Sequence, residues 1–240
     1  MSFINKLTPI AAFAAMSLSA TPAMADAITL GSGNIGQSYT LSFNGFSGGT
    51  VVDGLTSLAT FTLTAVTGNS YTFNYSLTNT TSNPVDSRVS GFGFNTDPNI
   101  SSATSTGAFS YTTLNSSYPN GIGAIDVCFK DAATGSCSGG GSGGLTDGTT
   151  GTGTFTLNFS QPLTSLTLSD FYVRYQSVAG AGNITSASGS GTLTGSSGGV
   201  TTTTSGGTSV PEPGMLGLFG AALVGVGLMR RRQTLRAARA

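Results

Sequence analysis

Cys128 and Cys137, the only two cysteines, are the residues best placed to do covalent chemistry in this chain of 240 residues. Their spacing closes a loop of about ten residues, and in an exported chain two cysteines form a disulfide by default. Such a bridge contributes roughly 2.5 to 3 kcal/mol on the chain-entropy model. Free thiols are the alternative. A zinc site is disfavoured, because it takes four Cys, His or carboxylate ligands and the chain has no histidine. The same absence removes Ser-His-Asp and Cys-His catalysis. Glu212 is the only glutamate, so a glycosidase-like pair would have to be two aspartates. Asp126 and Asp131 are the candidates, since they flank a strand end beside Cys128, and they read as solvated turn carboxylates rather than positioned catalytic groups. Asn95, Asp97 and Asn99 offer oxygens to calcium, but one carboxylate makes a thin site, and Pro98 among them favours an Asx-type turn. Gly91-Phe92-Gly93-Phe94 lacks the following helix and basic residue of a phosphate loop. The expectation is a protein with no catalytic residue, no cofactor and no metal, and therefore not an enzyme.

The elements that carry these residues repeat with a period of two. Tyr39, Leu41 and Phe43 alternate with Thr40 and Ser42. Phe61, Leu63 and Ala65 alternate with Thr60, Thr62 and Thr64, Phe155, Leu157 and Phe159 with Thr154, Thr156 and Asn158, and Tyr71, Phe73, Tyr75 and Leu77 with Thr72, Asn74 and Ser76. Each run predicts a strand with one buried face and one hydroxyl-rich wet face. Between Leu163 and Tyr175 the phase slips, since Leu166 and Leu168 share one parity and Phe171, Val173 and Tyr175 the other, which predicts a bulge near Ser169-Asp170. Further strands are expected at 87–94, 108–114 and 122–130, separated by turns at Thr96-Asp97-Pro98-Asn99 and Pro119-Asn120-Gly121. No helix is expected in the body. About eight short strands with one apolar face each predict an all-β fold, an antiparallel β-sandwich of jelly-roll or immunoglobulin-like type. The aromatic side chains fill its core; a sugar-stacking platform would more often use tryptophan, which is absent.

Both ends of the chain read as addresses. Residues 1–25 carry Lys6, an apolar stretch from Ile10 to Leu18 and Ala23-Met24-Ala25, the small-residue pattern of a signal peptide, so cleavage is expected after Ala25. Residues 26–185 form the β-sandwich ectodomain. Residues 186–209, almost entirely Ser, Thr and Gly, are expected to be a flexible linker between body and membrane, with hydroxyls open to glycosylation; the Gly-rich stretch 138–153 is expected to be a mobile loop. Residues 210–240 hold Pro211-Glu212-Pro213, an uncharged run from Met215 to Met229, and five arginines beginning with Arg230, Arg231 and Arg232. As a helix the run spans roughly 22 Å, short for a hydrocarbon core of about 30 Å, and the arginines keep their end cytoplasmic. Gly217, Ala221 and Gly225 form a smooth stripe where another membrane helix packs closely.

Discarding both ends changes the charge. Residues 26–209 hold three cations, Arg88, Lys130 and Arg174, against eight aspartates, a net charge of −5. Nucleic acid is excluded as a partner, since phosphate contacts need clustered Lys and Arg.

The succession of Pro211-Glu212-Pro213, one helix and an arginine cluster resembles the PEP-CTERM sorting domain. That resemblance implies recognition in the membrane by an exosortase, removal of the tail, and export through the inner membrane to the cell surface, outer membrane or extracellular matrix of a Gram-negative bacterium. In the body, residues 90–98, the Cys128 to Cys137 segment and residues 171–177 resemble the cistern family of PEP-CTERM proteins, which implies one β domain with a paired cysteine loop. The reading that follows is an exported structural protein associated with exopolysaccharide. Its main rival is a carbohydrate-binding or adhesive module, and a more remote one is an Asp-dependent hydrolase.

Overall fold

In the computed structural model, residues 26–197 are described. They form twelve strands: β1 (Ile28–Leu30), β2 (Ser38–Ser47), β3 (Thr50–Thr67), β4 (Ser70–Asn79), β5 (Asp86–Asp97), β6 (Ser102–Ser105), β7 (Tyr111–Tyr118), β8 (Gly123–Lys130), β9 (Leu145–Thr146), β10 (Thr150–Asn158), β11 (Leu166–Ala179) and β12 (Ser186–Ser197). The helical content of the described residues is two single 3-10 turns, Ser32–Asn34 and Gly107–Phe109. One antiparallel sheet runs β6-β10-β4-β3-β2-β12-β11-β5-β8-β7, with β1 added beside β11 and β9 beside β5. Its two end strands, β6 and β7, follow each other in the chain through the Gly107–Phe109 turn. The sheet therefore curls almost into a barrel, and the expected all-β antiparallel sandwich is found with its two walls continuous at one side.

The period of two does its predicted work. Tyr39, Leu41, Phe43, Phe61, Leu63, Tyr71, Phe73, Tyr75, Leu77, Phe155, Leu157 and Phe159 all lie in one core. Phe155 sits at its centre, with ring centroids 4.8 Å from both Phe73 and Phe129 and 5.7 Å from both Phe61 and Phe94. Ala65 falls only half inside, because a register shift between Leu63 and Ala65 moves it off the inward parity. The predicted bulge is present: pairing of β11 with β5 shifts between Ser169 and Tyr172, and Asp170 takes a positive φ of 52°. The segment expected as a strand over 108–114 instead starts as the 3-10 turn, with β7 beginning at Tyr111.

Two expectations about low-complexity segments are corrected. Residues 186–197 are not linker but β12, paired on one side with β11 and on the other with β2. The reason is that a strand can enter a core without bringing apolar mass. A Cβ on Gly189 would meet Val173 at 2.8 Å and Tyr175 at 2.9 Å, and one on Gly191 would meet Phe43 at 2.7 Å. Large side chains of the neighbouring strands cover the β12 backbone and use the room its glycines leave. The remainder of the expected linker, residues 198–209, lies outside the described residues. Likewise, the Gly-rich stretch 138–153 is mostly ordered structure. Gly139 and Gly140 are buried, β9 and β10 start within it, and a Cβ on Gly144 would fall 2.2 Å from the Val89 carbonyl oxygen.

Overpacking this seam is expected to cost stability. Gly191→Val should lower the unfolding free energy by about 1–3 kcal/mol, whereas Gly195→Val, where a Cβ meets nothing within 4 Å, should be neutral or slightly stabilising through strand propensity. Urea midpoints of the two purified variants check this, and equal midpoints would remove the packing explanation for the glycines.

Candidate functional site

Every strand side chain not pointing into the barrel points outward, and on β5, β8 and β11 the outward set includes the chemically distinctive residues. Cys128 lies between core residues Val127 and Phe129, so it faces out, and it is bonded to Cys137 with a Cα–Cα separation of 5.7 Å. The expected disulfide is thus present. Around it Tyr118, Ile125, Ile122 and Tyr172 form a second, small apolar cluster.

By the same alternation Lys130, Arg88 and Arg174 also emerge on the outer face, yet all three are buried beneath the segment 131–144 and the β7–β8 turn. A buried cation must be surrounded by oxygens or it unfolds what covers it. Lys130 Nζ donates to Thr113 Oγ1 at 2.6 Å, Thr134 Oγ1 at 3.1 Å, the Ser136 carbonyl at 2.8 Å, and the Thr134 carbonyl. The disulfide and the ammonium therefore close the same short loop, one from outside its ends and one from within. Arg88 forms an ion pair with Asp131 at 3.2 Å and donates to the carbonyls of Gly140 (3.0 Å) and Gly143 and to Gln176 Oε1 (3.3 Å). Arg174 donates to the Ala187 carbonyl at 3.0 Å. With its amide oxygen turned inward, Asn120 accepts from Arg174 at 2.9 Å and from the Ser188 backbone at 2.8 Å. Tyr118 Oη and Arg174 Nε, in the same region, have no partner.

The carboxylates are similarly engaged. Asp131 also accepts from the Gly140 backbone N–H at 2.5 Å, and Asp126 accepts from the Thr96 N–H at 2.8 Å. They serve different elements and share no bonding partner. Asn95 donates to Asp170 at 2.9 Å and accepts from the Asp126 N–H at 3.0 Å, which ties the β11 bulge to β8 through β5. Asp97 and Asn99 are exposed at the turn. Among the described residues no group of three or more Cys, Asp or Glu is arranged to hold a metal ion.

The three buried cations are the residues that sequence reasoning missed. A signal existed: Arg174 between Val173 and Tyr175, and Lys130 two positions after Cys128 and next to Phe129, are charges flanked by core residues within a strand. Such a charge faces outward, and burying it takes a carbonyl-rich cover. The Gly-rich stretch supplies that cover through Gly140 and Gly143.

Burial pushes the Lys130 ammonium below its ordinary value, with the Asp131 charge working the other way. Burial pushes Tyr39, Tyr71, Tyr75, Tyr118, Tyr172 and Tyr175 above theirs. For the tyrosines the unfolded chain loses its protons first, so their contribution is whole below the unfolded value of 10.0 and falls as pH rises through it. Lys130 has the opposite sign, because its folded form deprotonates first and stability recovers as pH rises toward 10.5. Six tyrosines outweigh one lysine. The urea midpoint should therefore fall between about pH 9 and 11, and in a Tyr111→Phe background, which removes the exposed tyrosine, tyrosinate absorbance should appear only together with unfolding; tyrosinate forming in that folded variant would contradict this. Lys130→Met, which orphans its oxygen cage, should cost about 2–4 kcal/mol and open segment 131–144 to protease, and an unchanged midpoint and cleavage pattern would show that the cage does not depend on the ammonium.

The sorting residues Pro211, Glu212, Pro213, Arg230, Arg231 and Arg232, and the cleavage residues Ala23 and Ala25, lie outside the described residues. Neither a curated protein nor a solved structure matches the chain. A family model, the PEP-CTERM protein-sorting motif, matches residues 209–232 and does not extend to the body segments that resemble the cistern family. The chain thus carries, after its β body, a PEP-CTERM protein-sorting motif, and that motif indicates an exosortase-sorted surface protein.

Proposed function

We propose that this protein is a non-catalytic structural constituent of the extracellular matrix, released by an exosortase from its tail and associated there with exopolysaccharide. The observation that carries the reading is the sorting motif at residues 209–232, which addresses the β body to the cell surface. The body suits that place in three ways. Its short loop is locked by a disulfide, its three cations are withdrawn from the surface, and the two aspartates nearest the disulfide are tied to backbone and arginine rather than facing each other across a cleft. An Asp-dependent hydrolase would need turnover that disappears in Asp126→Asn or Asp131→Asn.

Removal of the signal peptide after Ala25 and of the tail near Pro211-Glu212-Pro213 sets a mature mass. Intact-mass measurement on the native host's membrane and extracellular fractions should find a form starting at Asp26 and ending near the motif. The triple variant Pro211→Ala, Glu212→Ala, Pro213→Ala should stay at full tail length in the membrane. A tail retained in both proteins would make this a plain anchored surface protein.

A further inference from the structure

The wet face of the wall β2-β3-β4-β10 is organised in two dimensions. Register places Thr40 opposite Thr60, Thr60 opposite Ser76 and Ser76 opposite Thr152. In the next row Ser38 faces Thr62, Thr62 faces Asn74 and Asn74 faces Thr154. Further along, Thr72 faces Thr156 and Thr156 faces Thr104. Neighbours within a row are about 4.8 Å apart, and rows follow one another roughly every 6.7 Å, two residues along the strand. Many of the hydroxyls bond across the strands, as in Ser38–Thr62 at 2.7 Å, Thr40–Thr60 at 3.1 Å, Thr72–Thr156 at 3.0 Å and Thr78–Thr150 at 2.8 Å. Pairing fixes their rotamers while each oxygen keeps bonding capacity toward solvent.

Charge selects the partner. The outward positions of these rows carry no ionisable side chain; the exposed Asp86 and Asp97 are the end residues of β5, and the exposed Asp53 lies near the start of β3, before the Thr60–Thr62 stretch that carries the rows. All three cations of the body are buried on the opposite wall. A polyanion thus finds no counter-charge anywhere on the described surface and meets a net negative body, whereas a neutral polymer meets a neutral, hydrogen-bonding lattice. The row spacing also suits a repeating partner, because one pyranose ring of an extended chain spans about one interstrand step.

We infer that this face is the contact surface for a neutral polysaccharide chain lying across the strands, one sugar per strand along a hydroxyl row; the inference rests on the matrix reading above. Its affinity comes from many weak contacts. Each sugar hydroxyl exchanges one water bond for one protein bond, a nearly balanced trade, so long chains bind by accumulated contacts and short oligosaccharides do not. With no charge involved, retention does not respond to salt.

Sedimentation of the purified full-chain protein with insoluble cellulose and cross-linked dextran, with alginate gel as the polyanionic probe, tests this. The expected result is retention on at least one neutral polymer, unchanged by added salt and not reversed by short oligosaccharides, with none on alginate. Thr60→Val, Thr62→Val, Thr154→Val, Thr156→Val, which keeps shape and strand propensity, should reduce retention at least tenfold at an unchanged unfolding midpoint. Thr62→Asp, Thr154→Asp should do the same, whereas Ser110→Asp, Ser117→Asp near β7 should not. Retention on none of the neutral polymers, equal retention by the face variants, salt-dependent retention, or a wild-type dimer that the face variants abolish would each overturn the inference. Matrix co-fractionation in the host separates it from the reading it rests on. If wild type and face variants both stay with the matrix, only this face is wrong; if wild type does not, the matrix role itself fails.

Discussion

The aromatic cluster around Phe155 sets the terms for the rest of the body. Phe155 comes from β10 in one wall, while Phe92 and Phe94 of β5, Phe129 of β8 and Phe171 of β11 come from the other. Phe61 of β3 reaches across to Phe92 at 5.4 Å and to Phe171 at 6.0 Å. Rings of this size, meeting edge to face or offset, hold the walls apart at one side of the barrel and leave no space for side chains at other positions. The small residues follow from that. Gly189 and Gly191 on β12 let Phe43, Phe171 and Tyr175 lie against bare backbone, and Gly91 and Gly93 on β5 admit the backbone and side chains of β8 on the outer side. A strand of serine and glycine is a structural necessity here, since it completes the hydrogen-bond ladder without adding volume.

A second constraint acts on the outside of the sheet. Three cations emerge there from strands whose other face belongs to the core, so moving them would break the alternation that builds the core. They are accommodated instead by chain folded over them. The segment after Cys137 turns its carbonyls down onto Arg88, the loop inside the disulfide turns its carbonyls onto Lys130, and the β7–β8 turn brings Asn120 to Arg174. The disulfide, with a buried sulfur pair among Tyr118, Ile125 and Tyr172, keeps that cover in register. The short loop and the cations stabilise one another, which is why the bridge occurs where it does rather than between two distant strands.

What the sequence showed and what it hid divide along physical lines. Alternation is a local property, so the inward residues of β2, β4 and β10, those of β3 up to Leu63, and the bulge beside Asp170 were readable from spacing, while the Cys128–Cys137 pair followed from two lone cysteines in a chain with an export signal. The roles of β12 and of segment 138–144 were not, because composition rules score what a segment can bury by itself. Gly189 and Gly191 bury nothing of their own; their place in the core is written in Phe43 and Val173, far away in the chain. The buried cations were hidden for the same reason, since only tertiary pairing shows that Gly140 and Gly143 stand over Arg88. Pairing order is equally non-local, and nothing in the strand runs told that β10 would lie between β4 and β6.

The placement of the chain ends ties this architecture to sorting. Asp26 is buried and accepts the Leu193 N–H at 2.6 Å, while Ser197 pairs with Ser38. Both ends of the folded body therefore lie at one pole, the one where β2 begins. A cut after Ala25, the one expected from the sequence, would leave Asp26 as the first residue with its side chain already bonded to the β12 backbone. Such a cut would break none of the described strands. With Asp26 and Ser197 at one pole, the strands between them are bonded into one sheet without either end of the described chain passing through it.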